Sequence, residues 1–384
     1  MKVLLAATSD DVQTGASHCY LDIVREFKKR NIDFVSLVPK SGDLSEFLEN
    51  MGVKTYIVKD QVGAWQVNSD YQMSFINYLK YLVKCVYNFF AVNKAKRIIK
   101  REKIDIVHVN SLSRCTAAKA AYELNVPYVW HIRELLEDGL KSKFVNKDEA
   151  IKLLNNAEKV VCISKTVEDY YVSRYGLSNT VVIYDGVDVD KFYCKRDILN
   201  SDKIKIGIIG RVDEQKRQNV FIDAIIQLYR EYKNIECYIV GGYYDDDYYH
   251  NLVNKIKDNN LENVVHFTGF VERPEEYIKK CDIVCVCSYA EAFGLTTIEA
   301  MLSRALVIAS DSGANSELIE DGKNGLLYAC DDIEDLHIKI DKVIHDKHTA
   351  NEISRRGQES ALNYTVLDSV SNLENTLYCS KRSK

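Results

Sequence analysis

The stretch DIVCVCSYAEAFGLTTIEAMLSRALVIAS, residues 282–310, reads as strand, glycine turn, helix and strand. Its flanking runs, DIVCVCS and ALVIAS, are short, nearly continuous and rich in β-branched residues, as in strands covered on both faces. Between them the segment 294–303 has helical spacing and begins at Gly294. Strand, crossover helix and strand in this order make a parallel pair with a right-handed connection.

The same grammar extends outward in both directions. Before it come KVLLAAT, DFVSLV, KTYIV, IDIVHVN, PYVWHIR, KVVCIS and TVVIYDG, then KIKIGIIG, ECYIVGG and VVHFTGF; GLLY follows it. Helical spacing recurs at 18–30, 217–232 and 247–259. The pattern breaks in the polar stretch DGVDVDKFYCKRDILNSDK, 185–203, and a fresh strand starts just after it. A chain of 384 residues is long for one core. The expected fold class is therefore α/β, with two Rossmann-like domains whose parallel sheets face each other across a cleft.

Composition narrows the function. The net charge of -5 does not suit a broad nucleic-acid surface. The best apolar stretch, 85–92, falls far short of the ~20 residues a membrane span needs. The start MKVLLAATSDD turns acidic after Ala7 and reads as a first buried strand, not a signal peptide. Eleven cysteines include no C-x-x-C pair, which argues against zinc and for buried thiols in a reducing, cytoplasmic setting.

Ligands in such sheets sit beyond the carboxyl ends of the strands. That rule selects Gly15, His131, Ser164, Arg211, Gly242, Glu291 and Ser312. In IGIIGRVDEQKRQNVFIDA, 206–224, Arg211 follows a strand end and Lys216 lies near a helix start. A guanidinium fork and an ammonium suit a diphosphate; a solvated pair of charges at a strand end fits the residues equally well. Only Gly207 and Gly210 are present, so no nicotinamide fingerprint is formed.

Glu291 and Glu299 bracket Gly294, one before the helix and one within it. Gly294 lets the backbone approach a ligand, and the amides of Gly294, Leu295 and Thr296 at a helix start favour phosphate. Glu299 can accept hydrogen bonds from ribose hydroxyls, and Glu291 from those of an attached sugar. The plainer alternative is an acidic loop followed by a surface helix. YYDDDYY, 243–249, has the look of a metal-binding D-x-D, but its acids stand where a helix is about to begin and favour that position. No metal site is expected.

Together these stretches resemble the retaining GT-B glycosyltransferases of the GT4 family (glycosyl transferases group 1). VVIYDGVDVDKF, VVHFTGFVERPEEYIKKCDIVCVCSYAEAFGLTTIEAM and SDSGANSELIEDGKNGLL carry the likeness, with TGAS at 14–17 standing where the family has a Gly-Gly-x loop. Thr14 replaces the first glycine of that loop and Asp185 the usual asparagine. The resemblance implies an N-terminal domain over 1–188 on the acceptor side and a donor-binding domain over 189–364. It also implies a C-terminal helix, 365–384, packing back on the first domain, with hinges near 185–189 and Tyr364.

It further implies that Arg211 and Lys216 bind the donor's diphosphate and that Glu299 holds the ribose. Glu291 would contact the sugar with the amides of Phe293, Gly294 and Leu295. Gly15 and Ala16 would approach the donor, the backbone near Gly242 and Val271 would frame the base, and His131 would stand near the reacting sugar. Arg133 and Glu134 directly after His131 argue against a plain core histidine. Retention would proceed by same-face attack assisted by a phosphate oxygen, with no carboxylate nucleophile, no metal and no cofactor. A glycosidase, whose two carboxyls flank the scissile bond, would not need Arg211 and Lys216.

The implied donor is a UDP-sugar and the implied acceptor a glycan or lipid-linked molecule of surface polysaccharide or glycolipid synthesis. The stretch 75–103 is rich in Tyr, Phe and Lys, and Glu102 is its one acid. So one-sided a charge favours contact with an anionic membrane, which would place the enzyme on the inner face of the plasma membrane. Crossover helices with their apolar faces on the first sheet are the other reading. Two further functions share this fold: a nucleotide-sugar 2-epimerase, and a catalytically silent partner of another transferase.

Overall fold

A computed structural model describes residues 1–382 apart from Gln13, Gln72 and Met73; the last two residues of the expected C-terminal helix, Ser383 and Lys384, lie outside the described residues. The chain separates into two compact units, Met1–Gly186 with Val366–Lys384, and Val187–Thr365.

The first unit holds β1 (Lys2–Ala6), β2 (Asp33–Val38), β3 (Thr55–Ile57), β4 (Gln66–Asn68), β5 (Ile106–Asn110), β6 (Tyr128–Ile132), β7 (Ser142–Phe144), β8 (Lys159–Cys162) and β9 (Thr180–Val182). Seven of them form one parallel sheet in the order β3-β2-β1-β5-β6-β8-β9. Order reverses between β1 and β5, which marks the switch point where such sheets bind ligands. The antiparallel pair β4–β7 has no counterpart in the sequence reading, because its segments, QVN and SKF, are mostly polar and form no apolar run.

Helix Val366–Arg382 belongs to this unit. Its Val370, Leu373 and Leu377 are buried in the core that contains Leu5 and Phe27. Glu374 pairs with Arg30 at 2.9 Å, and Lys381 with Asp105 at 3.1 Å. Residues 75–102 form one 28-residue helix, Phe75–Glu102. Its second half buries Ala91, Val92, Ala95, Ile98 and Ile99, as a crossover helix should. Its first half does the reverse and turns large apolar side chains outward, so the helix is not evenly amphipathic along its length.

The second unit holds β10 (Ile204–Ile209), β11 (Ile235–Val240), β12 (Val265–Gly269), β13 (Ile283–Val286), β14 (Leu306–Ser310) and β15 (Leu326–Tyr328), in the parallel order β12-β11-β10-β13-β14-β15. The stretch 282–310 becomes β13, helix Leu295–Leu302 and β14, with Ile283 opposite Leu306. Order reverses between β10 and β13. The loops that follow these two strands carry Arg211, Lys216 and Glu291.

Candidate active site

In the second unit the ends of β10 and β11 come unusually close. Gly210 has φ +138° and Gly241 φ +149°, and a Cβ on Gly241 would lie 2.0 Å from the Gly210 carbonyl oxygen. Only glycine fits there. Gly242, the residue singled out from the sequence, is less constrained: its Cβ would meet Phe270 at an ordinary 3.5 Å. The Phe270 ring beside it is exposed, and half-buried Val271 follows.

Arg211 leaves this crossing with an exposed side chain that pairs with Asp213. Buried Gln218 braces the turn by donating from Nε2 to the Arg211 carbonyl at 2.9 Å. Lys216 folds back over Gly210, and its Nζ donates to Glu291 Oε2 at 2.9 Å. The two loops are joined again where the Tyr289 amide donates to the Gln215 carbonyl at 3.0 Å. Two motifs 75 residues apart thus meet as one ion pair.

Gly313 sets the position of Glu291. It has φ +60°, a Cβ there would lie 2.2 Å from the Glu291 carbonyl oxygen, and the Ala314 amide donates to that oxygen at 2.8 Å. The sequence shows Gly313 within SDSGANSELIE but does not reveal its role, since the contact is long-range. Ser312 serves the same bracing, donating its hydroxyl to the Ser288 and Tyr289 carbonyls. Ser164, also singled out by position, is a helix cap that accepts from the Val167 amide.

Gly294 has φ +107° and caps helix Leu295–Leu302 without a side-chain hydrogen bond. The first-turn amides, Leu295 and Thr296 among them, have no carbonyl of their own helix to meet. The Phe293 side chain is buried edge-on to Tyr364, leaving its backbone as the part that could serve a ligand. One turn on, Glu299 is half-buried, and its carboxylate has no hydrogen bond or ion pair among the described residues. Desolvation pushes its carboxyl up to about 7, against the pull of Lys191 and with a smaller push from Glu275.

That shift gives a pH signature. Were Glu299 to accept a ribose hydroxyl, the ionised carboxylate would do so best, so affinity for a nucleotide-sugar would rise between about pH 6 and 8 and Glu299→Gln would flatten the profile. In the ligand-free protein the sign is opposite. The folded state holds the proton more tightly than the unfolded one, so Glu299 favours folding at low pH and loses that contribution as pH rises through about 7. Calorimetric titrations at several pH values, in which mutant and parent kept the same slope, would rule this out.

Asp245 caps helix Asp246–Asp258 by accepting from the Tyr248 amide at 2.9 Å, as the helix-start reading of YYDDDYY requires. No group of three His, Cys, Asp or Glu placed to hold a metal ion is found among the described residues.

In the first unit, Gly15 and Ala16 open helix Gly15–Lys29, and Thr14 acts as its N-cap, accepting from the Ser17 amide. The Ala16 carbonyl accepts from Asn110 Nδ2 at 3.1 Å, which ties this start to the end of β5. His131, in β6, is only 1% exposed. Its Nδ1 lies 3.3 Å from His108 Nε2 and 3.4 Å from Arg133 Nη2, and its Nε2 has no partner among the described residues. Burial and the Arg133 charge hold its pKa well below the usual imidazole value, so it is neutral.

The flanking charges do not mark a solvent-facing site, contrary to the sequence reading. Arg133 and Glu134 are buried themselves and partnered internally: Arg133 is neutralised by Asp185 and donates to Asn110, and Glu134 accepts hydrogen bonds from Ser111 and two amides. Removing the carboxylate in Asp185→Ala should cost about 3–5 kcal/mol by stranding a buried guanidinium. Asp185→Asn, which keeps an acceptor, should cost less. Urea unfolding that separates the two variants by nothing measurable would contradict this account of the pair.

Two Rossmann-like units with parallel sheets make the GT-B fold, and solved structures agree. HepE from Anabaena, crystallised with UDP, superposes with a TM-score of 0.82 over 99% of this chain and 100% of its own, at 24% identity. The chain belongs to the family-4, group-1 glycosyltransferases: residues 14–191 match the family model Glycosyltransferase Family 4 and residues 190–360 match Glycosyl transferases group 1. Among curated relatives, an uncharacterised glycosyltransferase of Methanocaldococcus jannaschii is 26% identical over 273 residues, covering 69% of this chain and 72% of that protein. The GalNAc-alpha-(1->4)-GalNAc-alpha-(1->3)-diNAcBac-PP-undecaprenol alpha-1,4-N-acetyl-D-galactosaminyltransferase of Campylobacter jejuni is 24% identical over 287 residues, covering 72% and 75%. The chain is thus a glycosyltransferase, and the 2-epimerase alternative is not favoured.

Proposed function

We propose that this enzyme transfers a sugar from a UDP-sugar, with retention of configuration and without a metal ion, to a glycan or lipid-linked acceptor. Its product would enter a surface polysaccharide or glycolipid, and it would work peripherally at the inner face of the plasma membrane of a bacterial-type cell. The observation that carries this reading is the Lys216–Glu291 pair, set over a glycine edge beside a helix start with open amides.

A departing diphosphate gains negative charge as the glycosidic bond breaks. Cations and oriented amides aimed at that charge stabilise it. Arg211 and Lys216 are the cations, and the first turn of Leu295–Leu302 supplies the amides. Glu291 holds Lys216, and an arriving diphosphate would take over the ammonium and free Glu291 for sugar hydroxyls. Glu299 takes the ribose. These groups answer the charge without a cation cofactor, so EDTA should leave the rate unchanged.

UDP as carrier is supported by the Anabaena neighbour, crystallised with UDP and with UDP-glucose. A lipid-linked acceptor is supported by the Campylobacter relative, whose own acceptor is built on PP-undecaprenol. The test is a thermal-shift screen over UDP-, GDP- and ADP-sugars, in which UDP-sugars should stabilise most; no response to any of them would refute the reading. For His131→Ala, donor affinity should persist while transfer slows, because the groups proposed to hold the diphosphate and ribose all lie in the second unit. Normal turnover in that variant would remove His131 from the mechanism.

A further inference from the structure

We propose that the outward face of helix Phe75–Glu102 docks on an anionic lipid bilayer, its first four turns sunk at the boundary of headgroups and acyl chains and its last turns on the lipid phosphates. This gives a surface and a partner to the peripheral-membrane part of the function proposed above and rests on that part alone, not on the donor chemistry.

The helix is built inside out over its first half. Phe75, Ile76, Val83, Val86, Phe89 and Phe90 are each more than half exposed. The side turned to the protein carries polar groups instead. Asn88 exchanges hydrogen bonds with the Gln61 backbone at 2.7 and 3.1 Å, and Lys84 lies against Gly63. A soluble helix places its apolar stripe inward. An exposed apolar block this long marks an interaction surface.

Helical spacing carries the same outward face into a cationic block. At ~100° per residue, positions 75, 79, 82, 83, 86 and 90 fall on one side, and 94, 97, 100 and 101 continue it. The side chains of Lys94, Arg97 and Lys100 have no hydrogen bond or ion pair among the described residues. Glu102, the one acid of the stretch, is buried and held by Lys2 at 3.1 Å, Lys54 at 2.9 Å and Tyr56. Arg101 Nε lies 3.7 Å from Glu102, but among the described residues no acid pairs with Lys94, Arg97 or Lys100, and the outward positions carry no acid to meet the cations of a second copy.

The exposed apolar side chains spread over roughly half the helix circumference, at ~100° per residue. A fluid acyl layer covers such a convex half-cylinder without needing a matching groove. The first four turns run ~22 Å at 1.5 Å per residue. The opposite side is packed on the protein, so this helix can lie in a membrane surface but cannot cross it. Anionic headgroups supply the charge the Lys and Arg block lacks.

The full chain should be sedimented with vesicles of phosphatidylcholine alone and of phosphatidylcholine with phosphatidylglycerol, 1:1. Binding at least tenfold tighter to the anionic vesicles is expected. The double variant V83E/F90E should lose at least tenfold on both, and R97E/K100E should lose the preference for anionic vesicles. All four positions are exposed, so melting curves should match the parent. The proposal fails if the parent binds neither vesicle, or if V83E/F90E binds as well as the parent. It fails also if the parent is a dimer that V83E/F90E dissolves while vesicles are ignored, which would make the face a protein interface. Loss of the UDP-sugar thermal shift with vesicle binding intact would count against the donor reading only.

Discussion

Lys216→Ala is expected to lower transfer about 10²–10³-fold, the usual effect of deleting one preorganised group that meets developing negative charge. Two losses combine in this variant. The diphosphate loses a cation, and Glu291, now without its 2.9 Å partner, stays half-buried as a bare carboxylate beside the incoming phosphates. The remaining charge repels the ligand, so the UDP-sugar thermal shift should vanish along with the activity. Lys216→Arg keeps the charge but not the compact ammonium, and should recover part of both. A Lys216→Ala protein that a UDP-sugar stabilises as strongly as the parent would overturn the phosphate role, and with it the central claim about this site.

The second large effect belongs to a residue that touches no substrate in this account. Gly313→Ala should destabilise the protein by about 2–4 kcal/mol, because it adds steric overlap to a left-handed backbone. The new methyl would sit 2.2 Å from the Glu291 carbonyl oxygen, and backbone cannot step aside as a flexible side chain can. The Ala314–Glu291 hydrogen bond would be strained, and Glu291 would shift away from Lys216. A displacement of about 1 Å in a positioning loop typically costs near 10² in rate. Gly242→Ala is the control: its nearest neighbour is 3.5 Å away, so a change under about 1 kcal/mol is expected. Equal melting temperatures for the two variants would show that the Gly313 contact does not matter.

Much of the architecture is legible in the chain because a strand buried on both faces leaves a local trace. Each run of the type DIVCVCS or KIKIGIIG is a strand, and its neighbours in sequence show the helical period that makes parallel pairing necessary. The pair β4–β7 is not legible, since QVN and SKF are mostly polar and carry no apolar run to mark a buried strand. Helix Phe75–Glu102 shows the limit of composition: Tyr, Phe and Lys can be counted, but the count does not say which of them face the protein.

Site residues divide along the same line. Arg211, Lys216, Glu291 and Glu299 can be picked out because charged groups at strand ends and helix starts are locally conspicuous. Gly241, Gly313 and Gln218 escape notice because their importance is a contact with backbone made elsewhere. His131 is conspicuous, yet its burial is not, for the flanking charges of Arg133 and Glu134 suggest solvent and in fact find partners inside the core, Arg133 in Asp185 and Glu134 in Ser111 and two amides.

Local pattern alone therefore settled the α/β class, the order of elements and the break between two halves, because periodicity and turn chemistry act over neighbouring residues. Folding in three dimensions decided the rest: that Lys216 meets Glu291, that Gly313 sets the loop between them, that Arg133 is neutralised by Asp185, and that one long helix turns its apolar side outward. Each of these joins groups distant in the chain or depends on what packs against a face, and neither distance nor packing is written in the order of the residues.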